Sequence, residues 1–182
     1  MAQTNWDVVI GSTGRKEILR FQLQMITRRT AMGWSHKDLK KAIADQGYNF
    51  NPETGSLFWK MVDTQAWCRI LGGRLRVTFP GVPVPDTGEL DQVMEAMAAV
   101  FKEDELDRYK AIRYLSTARM QAGVSIPEFA QRIGITTSAT STWEQNTESP
   151  MIPGLFRHAQ ALGGTVRLDF EELPLVKGPA GR

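Results

Sequence analysis

The sequence predicts a mainly α chain made of two related helical units in tandem, each followed by a short β-strand. Three observations predict it. First, Arg29, Gly33, Ser35 and Leu39 reappear as Arg119, Gly123, Ser125 and Phe129, 90 positions further on. Self-similarity at a fixed spacing marks a duplicated structural unit. Second, Leu71-Gly72-Gly73-Arg74-Leu75-Arg76-Val77-Thr78-Phe79 parallels Leu162-Gly163-Gly164-Thr165-Val166-Arg167-Leu168-Asp169-Phe170 at an offset of 91. Third, apolar residues recur at helical spacing before each Gly-Gly pair and at a spacing of two after it. Trp59 and Trp143 hold similar places at an offset of 84, so the units differ in their turns. A casual Leu-Gly-Gly helix ending explains one of these matches but not the ordered series.

A chain of 182 residues suits two small units of this kind. The expected divisions are an N-terminal arm over 1–14, a first unit with its strand over 15–79, a linker and acidic spacer helix over 80–103, a second unit with its strand over 104–172, and a loose tail over 173–182. In the arm, Trp6 to Ile10 reads as a short strand or an apolar clip. Ile18, Phe21, Met25 and Ile26 then lie at helical spacing through about Arg29. Gly33 closes that helix, and Ser35 with Asp38 forms a capping box for the next, whose inner face is Leu39, Ala42 and Ile43. Lys37, Lys40 and Lys41 project outward. Asn51-Pro52 reads as an N-cap followed by proline at the first helical position, giving a third helix over Pro52–Met61. Asp63 is expected to cap a fourth helix that ends at Leu71.

Arg74 to Phe79 alternates Leu75, Val77 and Phe79 with Arg74, Arg76 and Thr78, a period-two strand with one apolar face. Thr165 to Phe170 repeats the pattern. One strand has no partner within its own unit. Strands 74–79 and 165–170 are therefore expected to pair with each other as an intrachain pseudo-dimer, or with the same strands of a second chain in a homodimer. An edge extension paired with the N-terminal arm is the plainer alternative. Neither unit needs its strand for a core on this reading. Pro80 to Gly88 is an extended linker. Leu90, Val93, Met94 and Met97 give the acidic helix that follows an apolar stripe, suited to packing.

In the second unit the helix that begins at Asp104 runs to the break at Gly123. Ser125 and Glu128 start a new helix, with Phe129, Ala130 and Ile133 on its apolar face. Gly134 ends it, Thr136 or Thr137 can cap, and a third short helix carries Trp143. Pro153 begins the last. Two short helices joined by a tight glycine turn form a helix-turn-helix arrangement.

Net charge is +2 but unevenly placed. Residues 1–79 carry 12 basic and 6 acidic side chains, residues 80–112 carry 3 and 8, and residues 113–182 carry 7 and 6. The first unit is the electropositive one, and its field favours a polyanion. The single cysteine, Cys68, excludes an intrachain disulfide and any multi-cysteine metal site, and reads as a buried inert thiol. This usage suits a reducing cytoplasm. No signal-peptide pattern and no apolar run long enough to cross a membrane is present, so no membrane partner is expected. No metalloprotease, phosphate-loop or nucleophile-elbow motif occurs, and no cofactor is expected. His36 and His158 read as surface or capping residues. The chain does not read as an enzyme.

The series Arg119…Gly123-Val124-Ser125…Glu128-Phe129-Ala130…Ile133-Gly134-Ile135-Thr136…Trp143-Glu144-Gln145-Asn146 resembles the core of Cro/C1-type (XRE) helix-turn-helix domains, the five-helix units of phage repressors and bacterial regulators. The match covers about Arg113 to Leu168. Gln145 and Asn146 stand where that family usually carries a basic residue or glycine. The resemblance implies double-stranded DNA as partner, and a transcriptional repressor of phage or prophage type. In the second unit Thr137, Ser138, Ser141 and Thr142 would face base edges, with Gln131, Thr136, Gln145 and Asn146 near the backbone or a base. In the first, Glu53, Thr54, Ser56 and Lys60 would lie on the outer face of the third helix, with Lys37, Lys40 and Lys41 around it. For each lysine alone a solvated face is the ordinary reading. The absence of Arg, Lys, Asn or Gln over Thr136–Thr142 keeps a second function open: a protein-interaction module such as an antirepressor or host-factor binder. An antitoxin that binds both DNA and a toxin is a third.

Overall fold

The computed structural model describes residues 6–53, 60–145 and 150–174. Among these the chain is mainly helical, with one two-stranded antiparallel sheet. The elements run α1 (Trp6–Ala31), α2 (His36–Asp45), α3 (Met61–Ile70), β1 (Gly73–Thr78), α4 (Gly88–Met97), α5 (Glu103–Gln121), α6 (Ile126–Ile133), α7 (Thr137–Gln145), α8 (Ile152–Ala161) and β2 (Arg167–Glu172).

The two units meet about a pseudo-two-fold axis. In the β1–β2 ladder Val77 pairs with Leu168, its own counterpart at the offset of 91. Lys60 and Met151, also 91 apart, form an isolated antiparallel bridge. Val77 and Lys60 each pair with their own equivalent, as happens on the axis of an isologous contact. The helices obey the same symmetry. α1 packs on α8 of the other unit, and α5 packs on α3. Buried positions correspond: Ile18, Phe21, Gln22 and Met25 on α1 match Arg108, Ala111, Ile112 and Leu115 on α5.

One apolar cluster runs through both units, from Phe21, Met25 and Trp67 to Leu155, Phe156 and Leu168. The strands belong to it: Leu75 and Leu168 are buried, as is Val166 just ahead of β2, which starts two residues later than the expected 165–170; this corrects the expectation that neither unit needs its strand for a core. Units this small bury too little apolar area alone, and docking lets them share a core. Burial also pushes the Cys68 thiol well above its usual range.

The helix starts follow the sequence signals. Ser35 and Asp38 form the full capping box. Ser125 accepts from the Glu128 N–H at 3.4 Å, while the Glu128 carboxylate pairs instead with Arg132 at 2.6 Å. α3 is the exception: it begins at Met61 with Lys60 at its N-cap, so Asp63 lies in the first turn and is not the cap the sequence suggested. Two further expectations are corrected. Trp6 to Ile10 is helical, not an extended arm or strand, and joins the rest of α1 across a kink at Gly11 (φ 63°, ψ 175°). The Ile10 carbonyl at that kink accepts from Gln160 Nε2 at 2.6 Å, which ties the first turn to α8. In the first unit Tyr48 to Asn51 has no regular secondary structure and Pro52-Glu53 is a turn, so no helix starts at Pro52. Tyr48 and Phe50 alternate into the core edge with their rings in T-shaped contact at 6.0 Å. Buried Gln22 donates to the Pro52 carbonyl at 3.2 Å. Residues 54–59, which the expected helix would have included, lie outside the described residues, as do 1–5, 146–149 and most of the tail.

Candidate nucleic-acid interface

In the second unit α6, a three-residue turn and α7 follow one another, and the two helices pack together. Gly134 makes the turn possible with φ 69°, a left-handed conformation that costs a residue with a Cβ about 1–2 kcal/mol. Ile135 N–H then donates to the Ala130 carbonyl at 3.1 Å, closing the end of α6. Thr136 caps α7: its Oγ1 accepts from the Ala139 N–H at 3.1 Å.

The inner face of α7 is held by a buried ion pair. Arg119, near the end of α5, donates from Nε and Nη2 to the Glu144 carboxylate at 2.6 and 2.8 Å, and from Nη1 to the Val124 carbonyl at 2.6 Å. One guanidinium thus fixes three elements: α5, the loop before α6, and α7. Buried Thr140 bonds back to the Thr136 carbonyl at 3.1 Å. Trp143 stacks on His158 of α8, centroids 3.5 Å apart and planes 15° from parallel.

The outer face of α7 is what this clamp presents. Thr136, Thr137, Ser138, Thr142 and Gln145 are exposed, Ser141 is half-buried, and Gln131 is exposed on α6. Gln145 Nε2 donates to Ser141 Oγ at 3.3 Å. The face carries hydroxyls and one amide and no charge, since the one ionisable side chain of α7, Glu144, is turned inward. Asn146 lies outside the described residues.

The first unit is built differently. Lys37, Lys40 and Lys41 are exposed along α2, and Lys60 is exposed where the chain enters α3. Thr54 and Ser56 lie outside the described residues. Glu53 does not face solvent on a third helix. Its side chain is nine-tenths buried, accepting from Arg29 Nε at 2.7 Å and facing His36 Nδ1 at 2.8 Å. Arg29 also donates to the Trp34 carbonyl. This is the Arg119–Glu144–Val124 arrangement over again, so the counterpart of Glu144 is Glu53. The structure therefore removes Glu53 from the exposed face assigned to it. Arg119, Glu144, Arg29 and His36 went unrecognised as clamp residues. The signal was present: Arg29 and Arg119 are 90 apart, Glu53 and Glu144 are 91 apart, and those are the two offsets of the repeat.

His158 is also misplaced by the sequence reading. It is 2% exposed, and its Nδ1 contacts the Gly154 carbonyl at 2.7 Å. Burial pushes its pKa down to about 4. In the unfolded chain the imidazole titrates near 6.5, so between these values the unfolded state holds the extra proton. The stability is present above pH ~6.5 and lost as pH falls toward 4, by about 3 kcal/mol at most. Urea unfolding at pH 7 and pH 4.5 is expected to show a steeper acid loss for the native chain than for His158→Phe. Equal losses would remove His158 as the cause.

Among the described residues no group of His, Cys, Asp and Glu is placed to hold a metal ion, and no helix is long and apolar enough to cross a membrane. No family model matches the chain, and neither a curated protein nor a solved structure matches it.

Proposed function

We propose that the chain is a sequence-specific double-stranded DNA-binding transcriptional regulator, a repressor of phage or prophage type, that reads bases with α7 of its second unit. The carrying observation is the two-sided character of α7: a clamped inner face and an outer row of exposed Thr137, Ser138, Thr142 and Gln145. A groove-reading helix needs rigid seating and short polar side chains that reach base edges. Threonine methyls suit thymine methyls, and hydroxyls serve either base type. Lys37, Lys40 and Lys41 on α2 supply the phosphate term, which positions without specifying.

Among the described residues the first unit has no counterpart of α7, so base reading rests on the second unit. The expected target is a single half-site, and a homodimer of chains restores two. Selection from a randomised duplex library at two salt concentrations tests this. The expected motif spans one half-site and binds with a steep salt dependence. Replacing Lys37, Lys40 and Lys41 with alanine should weaken all sequences alike and lower the salt slope, by about 0.9 for each phosphate that is no longer neutralised. Thr137→Ala and Ser138→Ala should instead relax preference at one base position, by about 1 kcal/mol.

The uncharged outer face of α7 favours one other reading, a protein-interaction module that keeps the fold without reading bases. No enriched motif, together with weak binding that vanishes at physiological salt, would sink the operator reading in its favour.

A further inference from the structure

The pseudo-symmetry fails on the outer faces of the two long helices, and the failure leaves α1 bare where α5 has a neighbour. α4 runs back along α5. The chain ahead of α4 is tied to the end of α5, where Asp86 N–H donates to Gln121 Oε1 at 2.8 Å and Gln121 Nε2 donates to the Asp86 carbonyl at 3.1 Å. The α5 side chains that share a groove with α4 include Tyr109, Arg113, Thr117 and Met120. At the offset of 90 their counterparts on α1 are Leu19, Leu23, Thr27 and Thr30. α1 packs on α8 and β2 with its other faces. Among the described residues nothing shields Leu19 and Leu23, which are 49% and 64% exposed.

α4 in turn carries more apolar surface than α5 covers. Its one buried side chain is Met94. Val93 is 45% exposed, Met97 is half-buried, and Val100 and Phe101 are exposed in the turn that follows. Phe101 N–H donates to the Met97 carbonyl at 2.9 Å, so that turn continues the helix. The two bare stripes match in spacing. Arg15, Leu19, Leu23 and Ile26 follow one another at steps of four, four and three, and so do Glu89, Val93, Met97 and Val100. Such steps keep side chains on one helix face. The stripes differ in the sign of their charge. From Gly11 to the end of α1 the one acid is Glu17, which is bonded to Arg20 and to Leu168 N–H on the side turned to β2. Exposed Arg15 and Lys16 border the α1 stripe, whereas exposed Glu89, Asp91 and Glu95 surround that of α4. Arg113, the cation in the α4–α5 groove, lies over the Tyr109 ring at 5.1 Å.

We propose that these two stripes bind each other between copies of this chain, with α1 of one copy packed parallel to α4 of the next. That alignment sets Glu89 beside Arg15, Val93 and Met97 beside Leu19 and Leu23, and Val100 beside Ile26. α4 is then held between its own α5 and the neighbouring copy's α1. The occupant is a second copy because every chain carries both halves of the match, on helices that pack against different elements. Charge complementarity selects the unlike pair. Two copies of α1 would bring only cations to the contact, and two of α4 mostly carboxylates. A contact between unlike patches is heterologous, so it closes into a ring or continues as a row.

Sedimentation equilibrium of the full chain over a range of concentrations, at low and high salt, tests this. The native chain is expected to rise above its monomer mass of 20.4 kDa as concentration increases, and to dissociate as salt screens the charges. Leu23→Glu and Val93→Glu are each expected to stay monomeric. Both positions are exposed, so the helical circular dichroism should not change. Mixed in equal amounts, the two variants keep one intact contact, the α4 stripe of the first with the α1 stripe of the second. The mixture is expected to form a capped pair with the mass of two chains. Should either glutamate variant fail to fold, a charge exchange decides instead. Arg15→Glu should weaken association at least about threefold, and adding Glu89→Arg in the same chain should restore it. A native chain that stays monomeric throughout, or a charge exchange that restores nothing, overturns the proposal. So does a mixture of the folded variants that stays monomeric. So does a Val93→Glu chain that associates like the native one, which would mean that α1 meets α1.

Discussion

Glu144→Ala is expected to cost the fold about 3–5 kcal/mol, because it leaves the Arg119 guanidinium buried without its counter-charge. The side chains of Arg119 and Glu144 are only 6% and 11% exposed. Desolvation of this pair is already complete, and the carboxylate accepts two of the three guanidinium bonds. Arg119→Met should cost a similar amount, since it strands the carboxylate and frees the Val124 carbonyl. The double replacement of Arg119 by Met and Glu144 by Leu is expected to recover most of the loss, because an apolar pair of like volume replaces a buried ion pair at little cost. Urea unfolding of the native chain, Arg119→Met, Glu144→Leu and the double variant closes the cycle. If Glu144→Ala alone costs less than about 1 kcal/mol, the pair behaves as a surface bridge and the clamp argument fails. The recovered double variant has a further use. It retains the fold but loses the directed bonds that orient α7, so DNA binding is expected to fall even where stability returns.

Much of the fold was legible because it rests on local chemistry. The capping box at Ser35, the N-cap at Ser125, the glycine at 134 and the alternation of Leu75, Val77 and Phe79 each act within a few residues. Their consequences can be read from the chain alone. The repeat was legible too, and with it the pairing of the two strands as one of the stated alternatives. What escaped were long-range substitutions of one solution for another. Asn51-Pro52 carries the marks of a helix start, yet Tyr48 and Phe50 alternate into the core edge and Glu53 is drawn to Arg29, which keeps that segment out of a helix. Matching Trp59 to Trp143 hid this, since the correspondence the fold keeps is between Glu53 and Glu144. The identity of the core was invisible for the same reason. Whether a strand is an appendage or a wall of the core depends on the other unit, 91 residues away. The site divided along the same line. The exposed row on α7 followed from spacing, whereas the clamp that presents it needed the fold.

The second large effect is expected at a pair of glycines that the sequence presents only as helix stops. Gly73 and Gly164 occupy equivalent places, and a side chain at either would strike backbone. A Cβ on Gly164 would lie 2.4 Å from the Val82 nitrogen and 2.7 Å from the Pro80 oxygen. A Cβ on Gly73 would lie 2.6 Å from the Glu171 oxygen and 2.3 Å from the Phe170 ring. Rotating a flexible side chain cannot relieve such contacts, so the strand itself must move. At Gly73 that strand is half of the ladder on which both units meet. Gly164→Ala and Gly73→Ala are each expected to lose about 3 kcal/mol, the upper part of the range for overpacking. Gly88→Ala, where the nearest atom stands at 3.4 Å, should be close to neutral and serves as the control. Thermal and urea unfolding measure the losses, and amide exchange locates them. The Arg74 and Arg76 amides, whose bonds cross to β2, should lose protection in Gly73→Ala before the α6–α7 amides do. A uniform loss across the chain would instead mean that the two units melt as one body. The shared core makes that outcome compatible with the stability prediction but not with a seam confined to the sheet.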